Sequence, residues 1–290
     1  MTYTSKAFAK INLSLDIVSK MDDGYHDLEM VMQSVSLYDE ITIKCAAGEG
    51  VSVKTNLPYL PRNEKNIAVK AALAFFCNTG ITGYSAHIEV NKNIPVCAGL
   101  GGGSADAACV LRMLDMMFKT HLGRSNLEKL GSTIGSDIPF CIDGGTKLAK
   151  GRGEILTDLP PIPHCDIVIC KPSFSCSTPE LYGLIQCEKI RSRPDTDGLL
   201  KAIDEGDLCG VARRMYNVFE DVVPHGKPEI DEIKCILLDN SALGAVMTGS
   251  GPTVFGLFNS ETNARNAYND LKTIYAECYL TNTICAGQPV

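Results

Sequence analysis

Pro95, Val96, Cys97, Ala98, Gly99, Leu100, Gly101, Gly102, Gly103, Ser104 and Ala105 run directly into Asp-Ala-Ala-Cys-Val-Leu-Arg-Met-Leu-Asp-Met-Met-Phe118. No other stretch restricts the fold so strongly. Four glycines fall within positions 99–103, between a predicted strand and a predicted helix. Without a Cβ the backbone takes positive φ readily and approaches a ligand closely. The first N–H groups of the helix that follows have no intrahelical partners, and Ser104 is placed to cap it. Loop amides and a helix entrance together form a site for an anion, phosphate above all; the plainer alternative is a flexible turn with a good helix start. A Walker A loop would need a lysine before its serine, and none stands there. A dinucleotide fingerprint would need glycine where Ser104 stands, inside a βαβ unit, whereas the strands before this loop read as antiparallel.

The rest of the chain sets the frame for that loop. From Thr4 to Val18 the pattern has period two, with Ile11, Leu13, Leu15 and Ile17 on one face and Lys10, Asn12, Ser14 and Asp16 on the other. Strands are predicted near Val35–Lys44, Val51–Thr55 and Tyr84–Val90. Helices are predicted at Asn66–Cys77, closed by Gly80, at Ser104–Phe118, and at Ser125–Ile134 with Ser125 and Glu128 spaced as a capping box. Leu159-Pro-Pro-Ile-Pro-His164 is too rich in proline for a helix or central strand, so a break falls at Thr157–His164. Beyond it come a strand at Asp166–Lys171 and several helices between Pro179 and Asn240. Then follow Gly244–Thr248, a Gly-Ser-Gly-Pro turn, Thr253–Phe258, a helix at Thr262–Ala276 and a strand at Cys278–Ile284. That ending reads as part of a split β-α-β, ferredoxin-like layer. Two α+β domains are expected, residues 1–157 and 158–290, with a cleft between them, a common place for a small molecule.

Composition narrows the function. Lysine and arginine number 27 against 34 aspartates and glutamates, a net charge of −7, which argues against a broad nucleic-acid surface while leaving room for a local phosphate pocket. No apolar run approaches the roughly 20 residues of a membrane helix, and the alternating N-terminus reads as a strand rather than a signal peptide. The 13 cysteines are scattered among apolar neighbours without a C-x-x-C pair. They read as small buried hydrophobes in a reducing, cytoplasmic setting. No cysteine or histidine grouping has metal-ligand spacing.

Three further segments accompany the loop. Ala9-Lys10-Ile11-Asn12-Leu13 puts Lys10 and Asn12 on one polar strand face. Gly135-Ser-Asp137-Ile-Pro-Phe140 places an acid just before a proline. Met247-Thr-Gly249-Ser-Gly251-Pro252-Thr is a glycine-rich turn between apolar strands. Each alone has a bland explanation: an edge-strand charge, a turn aspartate, a hairpin. In this order, from Ala9 to Phe258, they resemble the GHMP kinase superfamily, which includes galactokinase, homoserine kinase and mevalonate kinase. Within it, Ala9–Ile17, Asp23-Gly-Tyr25-His26 with its continuation to Ser34, and Ser177-Thr-Pro-Glu-Leu-Tyr182 resemble the branch that acts on a cytidine diphosphate-linked methylerythritol.

The resemblance implies an N-terminal domain like ribosomal protein S5 domain 2 and a ferredoxin-like C-terminal domain. It implies transfer of the γ-phosphoryl of ATP to the acceptor's 2-hydroxyl, in the non-mevalonate route to isoprenoids. It makes Lys10 and Asp137 catalytic and residues 95–105 the triphosphate loop. Tyr25 and His26 would contact the cytosine, Tyr182 would be a second stacking aromatic, and Asn12 would lie near the sugar alcohol. Mg²⁺ would be bound through the nucleotide phosphates, its protein ligands unassigned. Ala105 and Asp106 depart little from the family's pattern. Two alternatives remain at this point: a GHMP kinase for another small alcohol, and a catalytically silent nucleotide- or RNA-binding relative. The negative charge and the joint presence of Lys10 and Asp137 oppose the second. The choice between monomer and homodimer stays open.

Overall fold

The computed structural model describes residues 1–176, 178–190, 192–221 and 227–287. Ser177, and residues 191 and 222–226 of the predicted helical stretch, lie outside them. The chain runs β1 (Thr2–Lys20), β2 (His26–Ala47), β3 (Val51–Thr55), α1 (Ile67–Thr79), β4 (Tyr84–Asn91), α2 (Gly102–Phe118), α3 (Gly123–Ser132), α4 (Ile138–Asp143), β5 (Thr146–Gly151) and β6 (Ile155–Asp158). It continues through β7 (Asp166–Lys171), α5 (Thr178–Leu184), α6 (Thr196–Asp204), α7 (Leu208–Arg213), β8 (Tyr216–Asn217), α8 (Glu229–Asp239), β9 (Gly244–Met247), β10 (Val254–Phe258), α9 (Glu261–Ile274) and β11 (Glu277–Asn282).

The first sheet has the order β3-β4-β2-β1-β8, with β5 also on β2 and β6 on β5. The second has the antiparallel order β11-β7-β10-β9, the ferredoxin-like arrangement expected of the C-terminal half. Residues 159–165 form neither helix nor strand. The halves are nevertheless stitched together. β8 pairs in parallel with Ser14 and Leu15 of β1, and Gln33 donates to the Ile284 carbonyl at 2.9 Å. Ala9, Ile11 and Leu13 share a core with Ile167, Ile169 and Val246, whereas Leu15 and Ile17 pack into another with Val168 and Phe258. The second half therefore covers β1, and the polar set Lys10, Asn12, Ser14 and Asp16 is buried as well as the apolar one. Alternation alone would have left that polar face to water.

Helix starts differ from the sequence reading. Asn66, read from the sequence as the first helical residue, is instead the cap of α1, accepting from Ala68 N–H at 3.0 Å, and Gly80 closes the helix at φ +68° as expected. Ser104, however, is not the cap of α2. Gly101, at φ +68°, turns the chain into the helix two residues earlier, and no side chain caps it. The entrance amides are thus left without a side-chain acceptor. Ser125 and Glu128 form no capping box either. α3 begins at Gly123, and Glu128 instead accepts from Arg124 at 2.7 Å while Arg124 reaches Asp158.

Under the glycine loop lies a buried ionic group. Lys92 donates to Asp39 and, at 2.8 Å, to Asp106 Oδ2. Asp39 also accepts from Asn93 and Ile94 N–H at 2.5 and 2.8 Å. Asp106 Oδ1 has no partner. Burial, only partly offset by Lys92, pushes the Asp106 carboxyl well above the usual carboxylate range. A carboxyl raised by folding stabilises the protein fully below its unfolded value of about 3.9 and loses that contribution as pH rises toward its folded value. Asp106→Asn keeps the shape without the charge. Its Tm, relative to wild type, is expected to rise as pH increases above about 3.9, with roughly 2–4 °C corresponding to 1 kcal/mol. Parallel pH profiles in thermal unfolding would rule out this account.

Candidate active site

The glycines of residues 99–103 have separate duties. A Cβ on Gly99, at φ +74°, would collide with the Thr248 carbonyl oxygen, and one on Gly249 would lie 3.0 Å from the Gly99 carbonyl oxygen. Two glycine turns from opposite halves of the chain therefore meet backbone to backbone. A Cβ on Gly101 would lie 2.9 Å from Lys10 Cγ, and Lys10 N–H donates to the Leu100 carbonyl at 3.0 Å. Gly102 points the other way, toward Ile94 Cγ2 at 2.9 Å and Lys92 Nζ at 3.3 Å. Residues 95–104 border a cavity of about 390 Å³ with Leu60, Pro61, Lys65, Asn66 and Ile67. Ala105, grouped with the loop from the sequence, is buried in the core beside α1 and α4 instead.

At the junction of the halves lies a second cavity, of about 620 Å³, that holds Lys10, Asp137, Gly249, Ser250 and Gly251. Lys10 Nζ stands 3.6 Å from Asp137 Oδ2, with Lys10 buried and Asp137 about a third exposed. The ammonium also donates to Asn12 Oδ1 at 2.6 Å. Asn12 is wholly buried, and its amide nitrogen rests against the Met30 sulfur at 3.4 Å. The structure places Asn12 beneath Lys10 rather than on the cavity wall. Asp137 precedes α4, whose first turn contains Pro139, but its carboxylate makes no capping bond. It is left free for chemistry.

A third cavity, of about 970 Å³, carries Tyr25, His26, Tyr182, Arg152 and Lys20. Tyr182 stacks on His26, with centroids 5.1 Å apart and planes at 28°, and meets Phe219 edge-on. Tyr25 is exposed and carries the Arg152 guanidinium 3.9 Å over its ring. Arg152 is held in turn by Asp23. The two tyrosines border one cavity, but they are not a preformed sandwich. Burial, helped by Lys20, lowers the His26 imidazole below its ordinary value. The neutral ring has one donor and one acceptor for a polar base edge. Burial first, then the Asp137 charge, raises the Tyr182 phenol, which stays neutral. Burial pushes the Cys141 thiol up to about 12, so it is not a nucleophile here.

The three cavities overlap. The middle one shares Cys97, Gly99 and Gly101 with the loop cavity, and Leu28, Ser136, Arg152, Thr178, Pro179 and Tyr182 with the third. A single cleft thus runs from the glycine loop, past Lys10 and Asp137, to an aromatic end. Arg152 and Phe219 of its wall carried no recognisable sequence signal, and Ser136 stood in the Gly135-Ser-Asp137 segment without being given a role. Thr248 stood in a motif read from the sequence, but only its glycine turn was interpreted.

Residues 66–145 match the GHMP kinases N terminal domain, and residues 199–277 the GHMP kinases C terminal. The 4-diphosphocytidyl-2-C-methyl-D-erythritol kinase of Alkaliphilus metalliredigens is 43% identical over 278 residues, covering 96% of this chain and 95% of that protein. A crystal structure of 4-(cytidine 5'-diphospho)-2C-methyl-D-erythritol kinase superposes with a TM-score of 0.83 at 29% identity, covering 99% of this chain and 100% of that one. The homoserine kinase of Cytophaga hutchinsonii, at 19% identity and a TM-score of 0.76 over 99% of this chain and 96% of that one, shares the fold.

Proposed function

The chain belongs to the GHMP kinase family, and from that premise we propose that it transfers the γ-phosphoryl group of ATP to the 2-hydroxyl of 4-diphosphocytidyl-2-C-methyl-D-erythritol, in the non-mevalonate route to isopentenyl diphosphate and isoprenoids. The observation that carries this reading is the continuous cleft with Lys10 and Asp137 at its middle. It has an anion-binding end, a reacting centre and an aromatic end, in the order that a triphosphate, a hydroxyl and a cytidine require.

Phosphoryl transfer depends on alignment and charge neutralisation more than on covalent work by the protein. The acceptor oxygen forms a bond to the γ-phosphorus while the bond from that phosphorus to the β,γ-bridging oxygen breaks, and ADP departs. The hydroxyl proton passes to the Asp137 carboxylate, which also orients the hydroxyl. Lys10 Nζ, close to Asp137 and anchored by Asn12, stabilises the negative charge that develops on the transferring group. The uncapped α2 entrance presents N–H groups to the triphosphate. Among the described residues no group of three or more His, Cys, Asp or Glu side chains could hold a metal. The loop cavity offers the Ser104 hydroxyl, while Asp106 is engaged by Lys92. That donor set fits Mg²⁺ held mainly by phosphates and water, with Ser104 as the protein oxygen. When bound, the ion neutralises triphosphate charge.

Among the described residues no helix is long and apolar enough to cross a membrane. The cysteines, scattered along the chain without a C-x-x-C pair, support a reducing, cytoplasmic setting. An ADP-release assay with the diphosphocytidyl substrate, homoserine and mevalonate tests the function. Turnover is expected with the first alone; turnover of another alcohol in its place would replace this reading.

Tyr25 and Tyr182 are assigned to the cytosine, with His26 at its polar edge. Stacking contributes on the order of 1–3 kcal/mol per base. Tyr25→Ala is therefore expected to raise the KM of the cytidine substrate by about 5- to 150-fold, with the ATP KM unchanged. Equal shifts in both would count against a base-stacking role.

A further inference from the structure

We propose that Thr248 is a positioning residue of this kinase: its hydroxyl, supplied by the C-terminal half, sets Asn12 and through it the Lys10 ammonium. The inference rests on the phosphoryl-transfer reading above. Thr248 is wholly buried. Its Oγ1 accepts from the Asn12 backbone N–H at 3.0 Å and lies 3.4 Å from Asn12 Oδ1 and 3.3 Å from the Gly99 carbonyl oxygen. A hydroxyl has one proton and two lone pairs. Asn12 N–H uses one lone pair, and the proton is shared between the Asn12 and Gly99 oxygens. One oxygen atom thereby touches both the strand that carries Lys10 and the glycine loop.

Thr248 stands on a rigid mount. Its own N–H donates to Thr253 O at 2.9 Å, and its carbonyl accepts from Gly251 N–H at 3.0 Å. On either side, buried Asn217 donates to Met247 O and Gly249 O at 2.7 and 2.8 Å. Glu220 accepts from Met247 N–H at 2.6 Å. None of these bonds uses the Thr248 side chain, so the turn survives its replacement. The hydroxyl, in contrast, locks Asn12, and Asn12 Oδ1 takes one of the three Lys10 ammonium protons at 2.6 Å. Thr248→Val keeps volume and branching but leaves the buried Asn12 N–H without its acceptor. Lys10 then loses its fixed tether beside Asp137. Displacement of about 1 Å at a reacting centre costs about 100-fold in rate.

Steady-state kinetics of Thr248→Val and Thr248→Ser provide the test. We expect Thr248→Val to lower kcat by about 10- to 100-fold, with both KM values within about threefold of wild type. Thr248→Ser, which keeps the hydroxyl, restores kcat to within about threefold. Thr248→Val combined with Asn12→Ala is expected to be much less than multiplicatively worse, because the two act as one unit. Wild-type kcat in Thr248→Val, equal impairment of Val and Ser, or a fully multiplicative double mutant would overturn the assignment. If Thr248→Val does not fold, Thr248→Ala takes its place, and the difference between the Ala and Ser variants isolates the hydroxyl in the same way. Wild-type turnover decides the acceptor separately, and the variants are read with whichever acceptor the enzyme uses.

Discussion

Asp137→Asn is expected to lower kcat by about 10²–10⁴-fold, the usual contribution of a general base, with ATP affinity nearly unchanged. The substitution keeps shape and hydrogen bonding while removing the charge and the proton acceptor. A turn aspartate that matters only to stability would cap the helix it precedes. The Asp137 carboxylate makes no such bond to α4 and instead stands 3.6 Å from Lys10 Nζ on the wall of the central cavity. The Asn variant should therefore melt close to wild type. Lys10→Ala should lose a comparable factor, and the double variant should fall far short of the product of the two. Near wild-type kcat together with a lowered Tm would reduce Asp137 to a structural residue and leave the acceptor hydroxyl without its partner.

Gly101→Val is expected to abolish measurable ATP binding and most of the activity in a protein that still folds. Valine at φ +68° is strained, and its Cβ would lie 2.9 Å from Lys10 Cγ, a flexible side chain that can be pushed aside. The substitution therefore damages the α2 entrance and displaces the Lys10 side chain together. Gly102→Val behaves differently despite its adjacent position. Its Cβ would press on Ile94 and Lys92 above the buried carboxylate pair, so a lowered Tm is its first symptom. Calorimetric titration with a non-hydrolysable ATP analogue, beside thermal unfolding, separates the two. Wild-type affinity in a folded Gly101→Val protein would remove the loop from the nucleotide site.

Much of the site could be read from residues near one another in the chain. Positive φ at residues 99 and 101 follows from what glycine alone permits. Strands β3 and β7 fall where alternation or short apolar runs predict them, and the strand–turn–strand–helix–strand ending orders itself into the second sheet. These are properties of local sterics and periodicity, and the motif order from Ala9 to Phe258 adds the family. Other features depend on groups that meet only after folding. The α2 start is set by the turn at Gly101 rather than by Ser104, which has the better side chain for a cap. The polar face of β1 is buried because the second half covers it. Asn12 meets Thr248 across 236 positions of sequence, and the cleft draws its wall from both halves, with Gly99 and Gly101 facing Gly249 and Gly251 across its middle. Periodicity determines which residues share a face; what lies opposite that face is decided by long-range packing. That is why Lys10 and Asp137 stood out as candidate residues in the sequence, while the bond from Asn12 to the Thr248 hydroxyl needed the tertiary structure.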